Sequence, residues 1–254
     1  MKKIESRQNP IFKEAYKVIS NRKSFPDKFI VEGKKMILEA IKSGAKPEMV
    51  FIAEQLPAEL AHLESLSIQI KQGLFRKLST FVSPADAIAI FRVTINKKYE
   101  TVLSESNLIV ILDRIQDPGN LGTIIRTGEA LGAGGIFLLK GSCSHLNHKV
   151  VRAAMGSSFR LPVFSDLIFT DLARDLKKND FSLICADMVG TKLPDFTFPR
   201  KTALVMGQEG QGIREEIKKV CSIKLAIPMQ GQVESLNVAT STAICLYEWA
   251  RQQK

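Results

Sequence analysis

The sequence predicts two α/β units in tandem, the second built on a parallel sheet covered on both faces. Two observations carry this fold class. Through the second half, nearly continuous apolar runs alternate with helical patterns, as in buried parallel strands joined by crossover helices. Before it lies a shorter alternation of strands and helices, set off by the polar, patternless stretch "INKKYETVLSESN". The boundaries read from this are 1–95 for a first domain, 96–107 for a linker and 108–254 for a second domain. A chain of 254 residues suffices for one large domain or two smaller ones.

In the first domain, "NPIFKEAYKVISNR" is helical, with Ile11, Ala15, Val18 and Ile19 on one stripe. "KFIVEG" is a short strand ending in Gly33, and "KKMILEAIKSG" is a helix stopped by Gly44. "EMVFIAE" and "DAIAIFRV" are further strands. In the second domain the strands are "LIVILDRI", "GIFLLK", "SLICADMV", "ALVMG" and "KLAIPM". The last helix begins near "ESLNVATSTAICLYEWARQQK", with Leu236, Ala239, Ala243, Leu246 and Ala250 as its buried stripe. There are no internal repeats or low-complexity tracts.

Composition narrows the function classes. The apolar fraction is 45%, ordinary for a globular protein. Cys143, Cys185, Cys221 and Cys245 are far apart and form no C-x-x-C pair, which argues against a zinc site or disulfide framework and fits a reducing cytoplasm. "CSHLNH" brings Cys143, His145 and His148 together without a fourth donor nearby, so no metal is expected. No apolar run approaches membrane-spanning length, and "MKKIESRQNP" has no apolar stretch of the signal-peptide kind behind it. The net charge of +10 is uneven: residues 1–100 hold 18 Lys+Arg against 11 Asp+Glu, and the remainder 18 against 15. A basic front half suits a polyanion, most simply nucleic acid.

Three stretches in the second domain concentrate glycine and polar residues after a strand and before a helix. They are "DRIQDPGNLGTIIRTGEALGAGG" at 113–135, "ALVMGQEGQGI" at 203–213 and "IPMQGQVESLNVATSTAICLYE" at 227–248. In a parallel sheet such loops gather at the carboxyl ends of the strands, where ligands bind. The first resembles a phosphate-binding turn but lacks G-x-G-x-x-G, and it places Asn120 and Arg126 at the junction instead. A nicotinamide-binding site would also want an acidic residue about twenty positions on, at a strand end. That region reads "FLLKGSC".

These three stretches, in order and at near-standard spacing over residues 105–254, resemble the three motifs of the SpoU–TrmH family of RNA ribose 2′-O-methyltransferases, within the SPOUT superfamily. The front half, with "SRQNPIFKEAYKV" and "FIVEGKKMILEAI", is similar to the RNA-binding extension of ribosomal-RNA members. The resemblance implies an α/β methyltransferase domain with a deep trefoil knot, preceded by a small α/β RNA-binding domain. It implies a homodimer that uses S-adenosyl-L-methionine on RNA, ribosomal RNA by virtue of the front domain. A transfer-RNA substrate, or a non-catalytic ribosome-assembly protein on the same fold, are the alternatives.

By motif position, the resemblance implies Asn120, Arg126, Glu209, Ser235 and Asn237 as catalytic residues and Gly207, Ile227, Met229 and Leu236 as cofactor-binding residues. Gly207 and Gly231 would let backbone approach a ligand closely. Asn120 can also cap its helix, Ser235 can cap the last helix, and Ile227 and Leu236 are equally good core residues. A ribose 2′-hydroxyl is a weak nucleophile, so the reaction needs in-line positioning and help in losing the proton. Arginine stays protonated, so Arg126 suits a phosphate clamp that stabilises the developing alkoxide better than it suits a base. Glu209 would orient the site. Arginine and cofactor would meet across the subunit contact, to which Tyr247, Glu248 and Trp249 could contribute; the tryptophan could equally be core.

Overall fold

The computed structural model describes residues 2–20, 27–80, 85–92, 97–208, 210–233 and 235–253. The chain divides into two compact units, one comprising residues 1–94 and 146–152, the other 95–145 and 153–254. The first unit runs β1 (Lys2–Ile4), α1 (Pro10–Ser20), β2 (Lys28–Glu32), α2 (Lys34–Lys42), β3 (Lys46–Ile52), a 3-10 helix (Ala58–Leu66), β4 (Ser67–Ile70), α3 (Gln72–Leu78) and β5 (Ile88–Arg92). Its sheet has the order β1-β4-β3-β5-β2, with β5 antiparallel to both neighbours and the other pairs parallel.

One face of that sheet presents Ile30, Phe51, Ile88 and Ile90 to Phe12, Ala15 and Val18 of α1 and to Leu74, Phe75 and Leu78 of α3. The expected α1 stripe is therefore shifted: Phe12 is fully buried, and Ile11 and Ile19 only flank the core. Strands β1 and β4 had no legible signal. They are three and four residues long, and β1 opens with two exposed lysines. Glu32 is buried at the end of β2, its carboxylate accepting from Thr80 N (2.8 Å) and Thr80 Oγ1 (2.9 Å), so its charge is not orphaned.

The second half of the chain continues with α4 (Tyr99–Glu105), β6 (Leu108–Asp113), α5 (Pro118–Ala130), β7 (Gly135–Leu139), α6 (His148–Ala153), β8 (Val163–Leu167), α7 (Phe169–Lys178), β9 (Ser182–Lys192), β10 (Thr202–Gly207), α8 (Glu215–Lys218), β11 (Ile223–Ala226) and α9 (Val238–Gln252). The sheet order is β11-β9-β10-β6-β7-β8, and every pair is parallel. Ile109, Ile111, Phe137, Ala203 and Val205 face α4 and α7 through Val102, Leu103, Leu172 and Leu176. The alternate residues Val110, Leu112, Leu138 and Leu204 are buried too, on the side where α5 and α9 pack together. This burial on both faces explains the unbroken apolar runs. The strand that sequence reasoning missed, β8, is the sheet edge, and its "VFSDL" is partly exposed throughout.

Two expectations need correction. The stretch read as a linker contains α4, whose Val102 and Leu103 are buried and whose Tyr99 stacks edge-on against Phe137 and Phe164 at 5.6 and 5.7 Å. Its apolar residues are too few to show a period, but they finish the core. The domain boundary expected at 95/96 lies outside the described residues. In α9 the buried stripe is Val238, Ala239, Thr242, Cys245, Leu246 and Trp249, rotated by about one residue from the alanine-based reading. Ala243 and Ala250 are only partly buried, and Leu236 precedes the helix.

Candidate active site

Three loops leave the carboxyl edge of the second sheet, after β6, β10 and β11. Asp113, the last residue of β6, stands opposite Gly207, the last residue of β10. The loops after β6 and β10 therefore begin side by side.

Helix α5 starts with Asp117 as N-cap and Pro118 at its first position. The Asp117 carboxylate accepts from the backbone N–H of Asn120 at 2.7 Å. Asn120 is thus inside the first turn, and the expected capping role falls to Asp117 instead. The Asp-Pro pair before a helical pattern was the signal for the true cap. Freed from capping, the Asn120 side chain reaches across to the third stretch, where its Oδ1 accepts from Asn237 Nδ2 at 3.0 Å.

Asn237 does two things at once. Its Oδ1 accepts from the backbone N–H groups of Ala239 (2.8 Å) and Thr240 (3.4 Å), making it the N-cap of α9. Its amide nitrogen holds Asn120. Ser235 does not cap: it lies two residues before the cap and is exposed. Leu236 and Ile227 are half-buried, and Met229 is exposed. Trp249 is buried within its own chain, whereas Tyr247 is 62% exposed and Glu248 pairs with Arg251.

The second stretch folds back on itself. Gly212 N donates to Gln208 O at 2.9 Å, closing a tight loop whose Gly212 has φ +64°. A Cβ on Gly207 would lie 2.3 Å from the Gly212 carbonyl carbon and 2.4 Å from Ile213 N. The glycine is therefore demanded by the loop's own backbone, and the expectation that it makes room for a ligand does not explain it. Around Gly210, Gly212 and Gly231, by contrast, the space a Cβ would take is open. Glu209 lies outside the described residues.

The loop is tied down by a group that the sequence reading passed over. Asp113 is completely buried, and its two oxygens accept from Arg214 Nε (2.9 Å) and Arg214 N (3.0 Å). Arg114 stands beside the same carboxylate, with Nε 3.6 Å from it and Nη1 donating to Gln211 Oε1 at 3.1 Å. Arg114 adopts φ +57°, a left-handed conformation uncommon outside glycine, asparagine and aspartate. A carboxylate closing a buried strand, and an arginine directly after the next motif, are the signal that could have found the pair.

Arg126 is exposed, on the stripe of α5 that also holds Gly119 and Thr123. Six residues from Asn120, it projects roughly 120° away around the helix. Among the described residues it has no hydrogen-bond or ion-pair partner. At Cys143, near the start of α5, burial, helped by the Asp117 charge, pushes the thiol up to about 11. Among the described residues no group of three His, Cys, Asp or Glu side chains could hold a metal ion, and no helix is long and apolar enough to cross a membrane.

Comparison with known proteins decides the family. The model of the SpoU rRNA Methylase family matches residues 107–247. The chain belongs to that family. Residues 14–89 match the MRM3-like substrate binding domain. Among family relatives, the 23S rRNA (guanosine(2553)-2′-O)-methyltransferase RlmP of Bacillus subtilis is 28% identical over 97% of this chain and 98% of its own length. The 23S rRNA (guanosine-2′-O-)-methyltransferase RlmB of Bordetella pertussis is 36% identical over 60% of this chain and 63% of its own. The SpoU methyltransferase AviRb of Streptomyces viridochromogenes, in complex with AdoMet, superposes with a TM-score of 0.87 at 25% identity, over 97% of this chain and 98% of that one. The AdoMet-bound rRNA methyltransferase of Sinorhizobium meliloti gives 0.84 at 27%, over 99% and 98%.

Proposed function

We propose that this protein methylates a ribose 2′-hydroxyl of ribosomal RNA with S-adenosyl-L-methionine. The second unit holds the cofactor and performs the reaction, and the first unit binds the RNA. The observation that carries this is the hydrogen bond between Asn120 and Asn237, which joins the first and third motifs of a SpoU family chain at the carboxyl edge of its sheet. A relative aligned along nearly the whole chain, RlmP, acts on 23S rRNA, and structural neighbours of nearly equal length bind AdoMet.

The residues present fit the cofactor. The open space beside the backbone of Gly210, Gly212 and Gly231 suits a ligand held by main-chain groups, and Ile227, Leu236 and Met229 supply apolar surface at the same edge. When bound, S-adenosylmethionine supplies an electrophilic methyl group on a sulfonium. Everything else falls to the protein. Asn120 and Asn237 hold the first and third loops in fixed register, so the ribose hydroxyl can be aligned. The Asp113–Arg214 pair fixes the second loop, which carries Glu209. Arg126, permanently protonated, clamps a substrate phosphate and stabilises the oxygen as its proton leaves.

A two-fold dimer completes the site. Its support is the contrast on α5: Asn120 engages its own chain, whereas Arg126 faces outward without a partner among the described residues. The exposed Tyr247 of α9 adds apolar surface for the contact. The trefoil knot belongs to the same proposal. The chain passes from β10 beyond β9 to β11, then returns to pack α9 on α5, a path that a knot requires. The reaction is expected in the cytoplasm. The test is single-turnover transfer of labelled methyl to ribosomal RNA from cells lacking the gene. Incorporation at one ribose is the expected result; failure to bind S-adenosylmethionine would overturn it.

A further inference from the structure

The first unit carries two helical faces of different electrical character. Helices α1 and α3 bury their apolar stripes in one cluster and touch each other, so their outer residues form a single surface. That surface holds Lys13 and Lys17 on α1 and Arg76 and Lys77 on α3, all exposed. The two helices together carry four cations against one carboxylate, Glu14, a net of +3. Glu14 is turned away from them and pairs with Lys28 of β2 at 2.8 Å. None of the four cations has an ion pair among the described residues.

Helix α2 and the 3-10 helix at Ala58–Leu66 differ. They carry Lys34, Lys35 and Lys42 against Glu39, Glu59 and Glu64, a net of zero. Lys34 is paired with Glu59 at 2.8 Å and Lys42 with Glu39 at 3.6 Å. Between residues 1 and 94, α2 and the 3-10 helix thus match their lysines with as many carboxylates, whereas α1 and α3 leave an excess of unpaired cations.

The bare face also displays an aromatic ring. Tyr16 is 45% exposed and lies one turn from Lys13 and beside Lys17, with its ring stacked on the buried Phe12 at 6.2 Å. A ring braced from beneath, with one side open and cations on either side, is a platform for an unstacked base whose phosphates the lysines can reach. A solvated face kept only for solubility has no use for an exposed, supported tyrosine.

We infer that the outer surface of α1 and α3 is where this protein docks single-stranded segments of its RNA, with Lys13, Lys17, Arg76 and Lys77 on the phosphates and Tyr16 stacking on a base. The inference rests on the RNA substrate of the proposed function and adds the surface and the kind of RNA. The surface reads strand flexibility and base faces; sequence choice is left to the catalytic unit.

The test uses the full chain and a fluorescein-labelled mixed-sequence oligoribonucleotide, single-stranded or annealed to its complement, with anisotropy measured across a salt series. The variant Lys13→Gln/Lys17→Gln/Arg76→Gln/Lys77→Gln is compared with Lys34→Gln/Lys35→Gln/Lys42→Gln. The first is expected to lose more than tenfold in single-strand affinity, and its salt slope to fall by roughly 3, at about 0.7 per phosphate contact. The second should stay within about twofold, because Lys34 and Lys42 are already paired and all three lysines lie on the helices outside the proposed surface. Tyr16→Ala should cost about fivefold or more with an unchanged slope, and Tyr16→Phe should restore it. Equal losses in both lysine sets, tighter binding of the duplex, or an indifferent Tyr16→Ala would overturn the inference. Calorimetry with S-adenosylmethionine separates the two readings: if cofactor binding fails while the two lysine sets still differ as stated, the enzyme reading falls and the RNA surface stands.

Discussion

Helix α5 presents two polar side chains that a sequence motif places together and the structure sets apart. Asn120 is locked to Asn237 of its own chain at 3.0 Å, while Arg126 stands in solvent on another side of the helix. Residues locked in this way pre-organise loops; a residue left bare is built to meet something that arrives. Their substitutions should therefore fail in different ways.

The largest effect is expected at the bare end. Arg126→Ala should cut single-turnover methylation a thousandfold or more, about 4 kcal/mol, with cofactor affinity and melting temperature unchanged. Arg126→Lys sharpens the assignment. A clamp that needs the planar guanidinium predicts that lysine fails almost as badly. A proton acceptor predicts partial rescue that grows with pH.

At the locked end, stability and activity should fall together. Gly207→Ala drives a methyl group into the Gly212–Ile213 backbone, so the second loop must move. Cofactor affinity should fall at least tenfold, about 1.4 kcal/mol, and the melting temperature should drop with it. Asn237→Ala removes the α9 cap, costing about 1 kcal/mol of stability. Asn237→Asp keeps the cap oxygen but turns a second oxygen toward Asn120. Thermal melts should leave the aspartate variant near the parent while its turnover falls about tenfold, the worth of about one hydrogen bond.

Arg114 refines the comparison in the opposite direction. Arg114→Gly relieves a left-handed backbone costing on the order of 1 kcal/mol, so a modest rise in melting temperature is expected. Loss of the contact with Gln211 should loosen the second loop and weaken cofactor binding. A gain in both would remove Arg114 from the site. The smallest effect is electrostatic. Burial opposes ionisation of Asp187, but the Lys218 ammonium at 3.0 Å holds its carboxyl below the ordinary value. A depressed carboxylate stabilises above its unfolded pKa, near 3.9, and loses that contribution as pH falls through the folded value. Lys218→Met should flatten the acid limb of a melting-temperature profile below about pH 4.

How much of this was legible in the sequence depended on what each residue's signal competed with. Buried strands such as "LIVILD" and "ALVMG" show as apolar runs because both faces are covered. Strand β8 does not show, because an edge strand tolerates Ser165 and Asp166. The motif residues were legible as types, and their partners were not. That Asn237 rather than Ser235 caps α9, and that Asp117 rather than Asn120 caps α5, depends on where helical backbone begins, which pattern fixes only to within a residue or two. The pairing of Asp113 with Arg214 joins residues a hundred positions apart, and only the fold supplies it.

The account stands or falls on whether Arg126 serves a neighbouring chain's site. Mixing Arg126→Ala protein with Asn237→Ala protein, each impaired alone, and allowing subunits to exchange, tests this through methyl transfer to ribosomal RNA. If each site takes Arg126 from one chain and Asn237 from the other, half of the mixed dimers' sites are intact, and random pairing in a two-fold dimer restores about a quarter of the parent activity. If Arg126 works within its own chain, every site in the mixture carries a lesion, and activity stays at the level of the separate variants.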